Sequence, residues 1–303
     1  MSARVIDAAE VAGPFRTETR EAVTRLGRDL RVVGVLSQPN GPAYTYAQYA
    51  RRGAEDAGVT MDLWQLEPDA VEAAIHTANA DPTIDGIFLY YPLTDPTEDR
   101  WLRELVDPRK DIEGMHSFWS RLLYENRRHV DEYGSLRAIL PCTPLGILKL
   151  LEAAGLRSKR LENNAPLEGV VACVINRSDI VGRPLSAMLA NDGATVISLD
   201  LNGAVVFEPP IGRHAYSVRD SEYDRAAALH EADVVITGVP SREFQLVTAG
   251  EIKPGAICVN FSQYRNFDDS VLDVASAFVP RVGPMTVAMA TRNLLRLIEL
   301  RTS

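Results

Sequence analysis

The stretch that decides the fold is Val170–Asp200, VVACVINRSDIVGRPLSAMLANDGATVISLD. It opens with Val170–Ile175, almost wholly apolar, as a strand buried on both faces of a parallel sheet would be. The turn Asn176-Arg177-Ser178-Asp179-Ile180-Val181-Gly182-Arg183-Pro184 leads into the helical segment Leu185–Asn191, and Thr195–Leu199 reads as the next strand. A strand-to-helix turn presents unpaired amide hydrogens and the positive end of the helix dipole, and Gly182 permits close backbone approach, so the turn suits a nucleotide pyrophosphate. It departs from G-x-G-x-x-G, and any tight βα connection carries Gly and Ser for structural reasons alone. Asp200 adds to the case. It ends the second strand roughly 20 residues beyond the turn, where a carboxylate accepts hydrogen bonds from the adenosine ribose and repels a ribose phosphate, favouring NAD over NADP. The opposing reading is that Asp200-Leu201-Asn202-Gly203 is an ordinary turn opened by Asp.

Downstream, Val234–Thr237 and Ala256–Phe261 read as two further buried strands. Their ends, Thr237-Gly238-Val239-Pro240-Ser241 and Asn260-Phe261-Ser262, fall where open α/β sheets collect ligands, although ordinary turn chemistry accounts for either alone. The acidic stretch Leu201–Asp224 has no clear period and is taken as an elaborated loop with room for one helix. Upstream, strands are expected at Leu30–Leu36, Val59–Leu66 and Ile84–Tyr91, with helices at Ala43–Ala57 and Asp69–Ala80, the second stopped by Asp81-Pro82. Cys142-Thr143-Pro144-Leu145-Gly146 introduces a helical run, Ile147–Ala154, with Thr143 as its cap and Pro144 at its first position. This helix is taken as the bridge between two α/β domains, and the polar Arg157–Pro166 as a surface connection.

At 303 residues the chain is long enough for two cores. Its 46% hydrophobic and 24% charged residues are those of an ordinary globular protein, without an apolar run long enough to cross a bilayer. A net charge of −9 offers no electrostatic footprint for nucleic acid. Met1–Val11 lacks the pattern of a secretory signal, so a cytoplasmic location is expected. Cys142, Cys173 and Cys258 are widely spaced, and His76, His116, His129, His214 and His230 show no metal spacing, so neither a disulfide framework nor a metal site is expected.

Val170–Asn202 strongly resembles the methylenetetrahydrofolate dehydrogenases, in particular the monofunctional NAD-dependent type of yeast. Four further stretches agree in the same order: Asp85-Gly86-Ile87 with Pro92-Leu93, Lys110-Asp111-Ile112-Glu113-Gly114, Leu140-Pro141-Cys142-Thr143-Pro144, and Val282-Gly283-Pro284-Met285-Thr286-Val287-Ala288-Met289. The resemblance runs from Tyr46 to the C-terminus. It implies an N-terminal α/β folate-binding domain, residues 1–149 with 285–303, and a Rossmann-like NAD-binding domain, residues 150–284, facing each other across a cleft. It further implies a homodimer, a tetrahydrofolate one-carbon substrate, and a last helix, about Thr286–Glu299, that returns to the first domain.

The same resemblance implies the site residues. Asn176, Arg177, Ser178, Asp200, Leu201, Asn260, Phe261 and Ser262 are expected to bind NAD. Tyr46, Tyr90, Glu113, Pro280, Gly283 and Pro284 are expected around the folate, with Tyr46, Glu113 and Cys142 as catalytic candidates. In the family pattern Tyr-x-x-x-Lys of the first helix, Tyr46 matches but Ala50 stands at the lysine that supports cyclohydrolase chemistry. Arg51 and Arg52 point about 100° and 200° away from it and are no substitute. Tyr90 stands where the family has the assisting glutamine. Hydride transfer without hydrolysis is therefore expected, with a bifunctional enzyme or a catalytically silent NAD-binding protein as alternatives. Glu113 stands at the family's pterin-contacting aspartate; its competing reading is an ion pair with Lys110 or a nearby arginine. Cys142 reads either as a thiol at a helix N-terminus touching substrate or nicotinamide, or as a small buried hydrophobe. Val279-Pro280-Arg281-Val282-Gly283-Pro284 resembles the family's Pro-Gly-Gly-Val-Gly-Pro, with Arg281 replacing the first glycine or its neighbour, so that the positive-φ freedom of glycine is lost there.

Overall fold

The computed structural model describes residues 2–131, 133–157, 165–210 and 215–302. In chain order its elements are β1 (Arg4–Val5), α1 (Ala8–Leu26), β2 (Leu30–Leu36), α2 (Gly41–Asp56), β3 (Val59–Gln65), α3 (Val71–Ala80), β4 (Gly86–Tyr90), α4 (Pro96–Leu105) and α5 (Ser117–Tyr124). There follow α6 (Cys142–Ala153), β5 (Val171–Ile175), α7 (Gly182–Asn191), β6 (Thr195–Asp200), β7 (Gly203–Glu208), β8 (Ser217–Ser221) and α8 (Arg225–Glu231). The chain closes with β9 (Val234–Thr237), β10 (Ile257–Asn260), α9 (Val271–Val274), β11 (Ala277–Val279) and α10 (Gly283–Thr302). These divide into two compact units. One is Met1–Val11, Leu123–Asn126 and Thr143–Met285; the other is Ala12–Leu122, Arg127–Cys142 and Thr286–Ser303.

The unit that holds Val170–Asp200 is built on an eight-stranded sheet ordered β1-β11-β10-β9-β5-β6-β7-β8. Every pair from β1 to β6 is parallel, whereas β7 and β8 are antiparallel. Because side chains alternate across a sheet, the register partners Cys173, Val235 and Cys258 share one face and pack into a core with Ala228, Leu229 and Phe267. Burial pushes the Cys173 and Cys258 thiols up to about 12, so both behave as small apolar residues. The register also sets strand ends abreast: Ile175 opposite Leu199 and Thr237, and Thr237 opposite Asn260.

The other unit has a three-stranded parallel sheet, β3-β2-β4. Alternation along β2 and β4 sends Val33, Val35, Ile87 and Leu89 into a core with Val71, Ile75 and Ala78 of α3 and Leu102 of α4. Phe88 and Tyr90 go to the opposite face. Gly34 is needed there, because a Cβ on it would lie 2.8 Å from both Leu63 Cδ2 and Tyr90 Cε2. The carbonyls left over at the end of α3 are satisfied by buried Lys110, whose Nζ donates to Ala78 O at 2.9 Å, Asn79 O at 2.9 Å and Asp81 O at 2.6 Å.

Several sequence expectations are corrected. Leu201–Asp224 is not one irregular loop: β7 and β8 extend the sheet from β6, and Asp224 then caps α8 by accepting from Ala227 N. Helix α6 begins at Cys142, so Thr143 lies within its first turn instead of capping it. The partition 1–149 with 285–303 against 150–284 differs from the observed units because Arg4–Val5 pairs with β11, which places the first residues with the larger sheet, and because the change of unit in α6 falls at Cys142–Thr143. Most of the expected Arg157–Pro166 connection lies outside the described residues, as does His214. Among the described residues no helix is long and apolar enough to cross a membrane.

Replacing Lys110 by Met would strand three helix-end carbonyls. A stability loss of about 2–4 kcal/mol is expected, since bonds to charged donors are worth about 1.5–3 kcal/mol and buried unmade ones cost. Denaturant unfolding checks this; a change below about 0.5 kcal/mol, the range of neutral surface substitutions, would mean the three bonds stabilise nothing.

Candidate functional site

The site residues fall into two clusters, one in each unit. In the unit with the large sheet, the strand-end residues expected to hold a dinucleotide are brought together. Asn176 follows β5 with φ 85°, the left-handed region that Asn tolerates better than most residues. Its amide donates to Leu199 O at 3.0 Å and its Nδ2 to Gly238 O at 2.6 Å, tying the ends of three strands. Gly182 permits a close approach, as the sequence implied, and the partner is the protein's own backbone: a Cβ there would lie 1.8 Å from Asn176 O. Ser178 Oγ accepts from Val181 N at 3.3 Å and Gly182 N at 3.4 Å, steadying the start of α7. At the end of β6, Asp200 accepts Arg177 N on one carboxylate oxygen and Leu201 N on the other, each at 2.6 Å. Arg177 sends its guanidinium to Ser198 O at 2.9 Å, and Leu201 is fully exposed.

Asn260 and Ser262 brace the neighbouring loop. Ser262 N donates to Asn260 Oδ1 at 3.0 Å, Asn260 Nδ2 to Tyr264 O at 2.9 Å, and Ser262 Oγ to Val239 O at 2.8 Å. The ring of Phe261 lies over Gly238, where an added Cβ would come within 1.8 Å of it. Sequence reasoning missed Asn266, fully buried, whose Oδ1 accepts from Thr237 Oγ1 and Val239 N while its Nδ2 donates to Val239 O. Its only sequence signal is a polar residue in a run that ends wholly buried. Pro280, Gly283 and Pro284 lie in this unit, at the end of β11 and the first turn of α10. Arg281 has no positive φ: among described non-glycine residues only Asn126 and Asn176 do, so the loss of glycine there costs no backbone strain.

The second cluster lies at the end of β4. Asp111 is buried and accepts four backbone amides, Glu113 N and Gly114 N on one oxygen, Met115 N and His116 N on the other, at 2.7–3.1 Å. This fixes the loop that carries Glu113. Glu113 Oε2 accepts Leu89 N at 2.8 Å and its carbonyl accepts Cys142 N at 3.0 Å. Asn293 of α10, unnoticed in the sequence, donates to Ile112 O and Leu140 O, each at 2.9 Å, and so joins the two segments that present Glu113 and Cys142. Burial pushes the Glu113 carboxyl well above its usual range, with Asp111 adding to the shift and the Leu89 amide and Arg103 opposing it. Lys110 is committed to α3, which removes it as the ion-pair partner of Glu113; the nearby arginine that bears on Glu113 is Arg103, which favours the ionised carboxyl. Cys142 is buried at the start of α6.

Tyr46 meets Tyr90 edge-on, with ring centroids 5.9 Å apart at 72°, and Phe88 at 6.5 Å; Phe88 and Tyr90 stack at 4.6 Å. Desolvation raises the Tyr46 and Tyr90 phenols far above their ordinary range, with Thr286 beside Tyr46 tempering the shift there. Tyr90 Oη donates to Met61 Sδ at 3.4 Å. Ala50 is buried one turn from Tyr46 on the face of α2 that also carries Ala47 and Ala54. Arg51 reaches Glu55 at 3.8 Å and does not take the place of the family lysine. No three His, Cys, Asp or Glu side chains converge on a metal-sized site among the described residues.

The parallel array, its strand-end cradle and the second α/β unit define a two-domain α/β protein with a Rossmann-like dinucleotide-binding domain. The chain belongs to the tetrahydrofolate dehydrogenase/cyclohydrolase family: residues 6–113 match that family's catalytic domain and residues 141–206 its NAD(P)-binding domain. It is 40% identical to the methylenetetrahydrofolate dehydrogenase [NAD(+)] of Saccharomyces cerevisiae, covering 98% of this chain and 96% of that one. It is 36% identical to the enzyme of the same name from Schizosaccharomyces pombe, covering 98% and 93%. The solved structure of the Saccharomyces cerevisiae NAD-dependent 5,10-methylenetetrahydrofolate dehydrogenase superposes with a TM-score of 0.93 at 39% identity over the whole of both chains.

Two outcomes are expected. Gly182→Ala should lower stability by about 2–4 kcal/mol and abolish dinucleotide binding by displacing the Asn176 turn, since the Cβ meets backbone that cannot give cheaply; calorimetric titration with NAD checks it. Glu113 has a raised folded pKa, so the folded state binds more protons than the unfolded state above about 4.5. Its contribution is full below that pH and is lost as pH rises through the folded value. Glu113→Gln should therefore gain stability relative to the parent at pH 8 compared with pH 4; equal differences at both would contradict the burial effect.

Proposed function

We propose that this protein oxidises 5,10-methylenetetrahydrofolate to 5,10-methenyltetrahydrofolate with NAD as hydride acceptor and without cyclohydrolase activity, working as a cytoplasmic homodimer. The observation that carries the reading is the full-length likeness to NAD-dependent relatives in a chain that keeps a buried acid, Glu113, beside Tyr46. The residues of the dinucleotide cradle fit the cofactor. Gly182 and Gly238 leave no room for side chains where backbone or ring already sits. Asp200 ends β6 with lone pairs remaining on both oxygens for ribose hydroxyls. With Asn176, Arg177, Ser178, Leu201, Asn260, Phe261 and Ser262 it would hold NAD. When bound, the nicotinamide supplies the electron-pair sink for the hydride that leaves the methylene carbon.

The chain's own contribution is orientation and charge. Tyr46 offers a ring face to the pterin, and Tyr90 backs it. Glu113 accepts hydrogen bonds from pterin N–H groups and, as a carboxylate, stabilises the cation that develops as hydride departs. Cys142 fixes the Glu113 segment through its backbone amide, a positioning part that needs no thiol chemistry. Loss of hydrolysis follows from Ala50 and Tyr90. Water attack on the methenyl bridge calls for a group to move protons. Ala50 has none, and the Tyr90 hydroxyl is directed to the Met61 sulfur.

The test is to follow reduced cofactor and methenyl product together with NAD and with NADP. Turnover with NAD and accumulation of methenyl product is expected, and Asp200→Ala should reduce the preference for NAD over NADP by about tenfold or more, one lost charge-assisted contact and one lost repulsion. Hydrolysis above the buffer rate would restore the bifunctional alternative. Absence of turnover with either cofactor would leave an NAD-binding protein without this activity.

A further inference from the structure

This inference rests on the assignment of Glu113 to pterin binding. Polar groups act on that carboxyl from the packed elements: Tyr46 on α2, Tyr90 and Tyr91 at the end of β4, Arg103 of α4 and Asp111 in its own loop, with Asp99 beside Tyr91 and Cys142 beside the Tyr46 and Tyr90 phenols. Most are already engaged. Asp111 holds four amides, Asp99 accepts from Leu93 N and Thr94 N, and Tyr90 faces Met61. Tyr46 is left to the substrate side. The Tyr91 hydroxyl and Arg103 Nε, like the Tyr46 hydroxyl, are buried and have no hydrogen-bond partner among the described residues. Glu104 stands 4.0 Å from Arg103 Nε, too far for a hydrogen bond.

A buried O–H or N–H without an acceptor is costly, and native structures satisfy such groups directly or through ordered water. Glu113 has acceptor capacity to spare, since Leu89 N occupies one site on Oε2 and a carboxylate offers several more. Both orphaned groups feel its charge: Glu113 helps to raise the Tyr91 phenol, and Arg103 favours the ionised Glu113. Neither residue was singled out by the family motifs, and nothing else in the site uses them.

We propose that Tyr91 and Arg103 are positioning residues that donate to Glu113 through a bridging water, and hold its carboxyl group ionised and oriented for the pterin. They act through Glu113 and do not touch substrate. Burial drives Glu113 toward the neutral acid, and the two donors oppose it, so removing either moves the ionisation to higher pH.

The experiment is the pH profile of kcat/KM with methylenetetrahydrofolate and NAD for the parent, Glu113→Gln, Tyr91→Phe, Arg103→Met and Arg103→Lys. The parent should show an acid limb that Glu113→Gln abolishes. Tyr91→Phe, which keeps the ring and its packing, and Arg103→Met should each move that limb upward by about one pH unit, a roughly tenfold loss below the limb. Their alkaline plateaus should stay within about threefold of the parent, a change that the tenfold scale marks as small. Arg103→Lys, which retains the charge, should move the limb less than Arg103→Met. If Glu113→Gln abolishes the limb while Tyr91→Phe and Arg103→Met leave it in place, even with activity lowered at all pH values, this proposal is overturned and the role of Glu113 stands. If Glu113→Gln keeps the parent's limb, the role of Glu113 fails and this proposal with it.

Discussion

The carboxylate of Asp111 accepts four consecutive-segment amides in a place where almost no water reaches, and the geometry of the second cluster depends on it. Desolvation pushes this carboxyl upward, and three of those same amides, with His116, pull it back. A charge-assisted bond to a backbone amide is about twice as strong as a neutral one, so a single side chain fixes the path from Glu113 to His116. Glu113 can then stand beside Leu89 and accept its amide. Lys110, the preceding residue, secures the same loop to the end of α3, and Asn293 fastens it to the segment that ends at Cys142. Glu113 is itself placed by side chains that bond to backbone groups.

In the other unit the equivalent constraint is the register of the parallel strands. Ile175, Leu199, Thr237 and Asn260 end abreast, so the polar residues that follow them meet without any long-range design beyond strand pairing. Much of their bonding capacity is spent on one another: Asn176 on Gly238, Asp200 on Arg177 and Leu201, Ser262 on Val239. This makes the cradle rigid before ligand arrives, which reduces the ordering cost of binding.

The strands of both sheets were legible because buried parallel strands leave apolar runs with few rivals for interpretation, as in Val170–Ile175 and Val234–Thr237. Asp200 was legible as a strand-end residue because the apolar run of β6 leads straight to it. What escaped notice has its causes in tertiary structure. β7 and β8 were taken for loop because β8 is exposed along most of its length and carries charged residues, so no apolar face marks it. β1 is only two residues long and exposed, and gains strand character solely from β11. Asn266 and Asn293 matter through what the fold brings to them, and a single polar residue in a sequence does not announce a partner tens of residues away.

Ala50 and Tyr90 are linked through the packing of α2 against β4. A lysine at position 50 would bury an ammonium on a face of α2 made of alanines, which is tolerable only with a polar partner such as the family glutamine. With tyrosine at position 90 that partner is gone, and the ring instead stacks on Phe88 and meets Tyr46 edge-on. Aromatic pairs of this geometry are worth about 0.5–1.5 kcal/mol beyond their burial. Each change removes the penalty that the other would impose alone, so the two belong together. The result is a wall of aromatic and alanine side chains beside Tyr46 in place of a buried lysine and its amide partner.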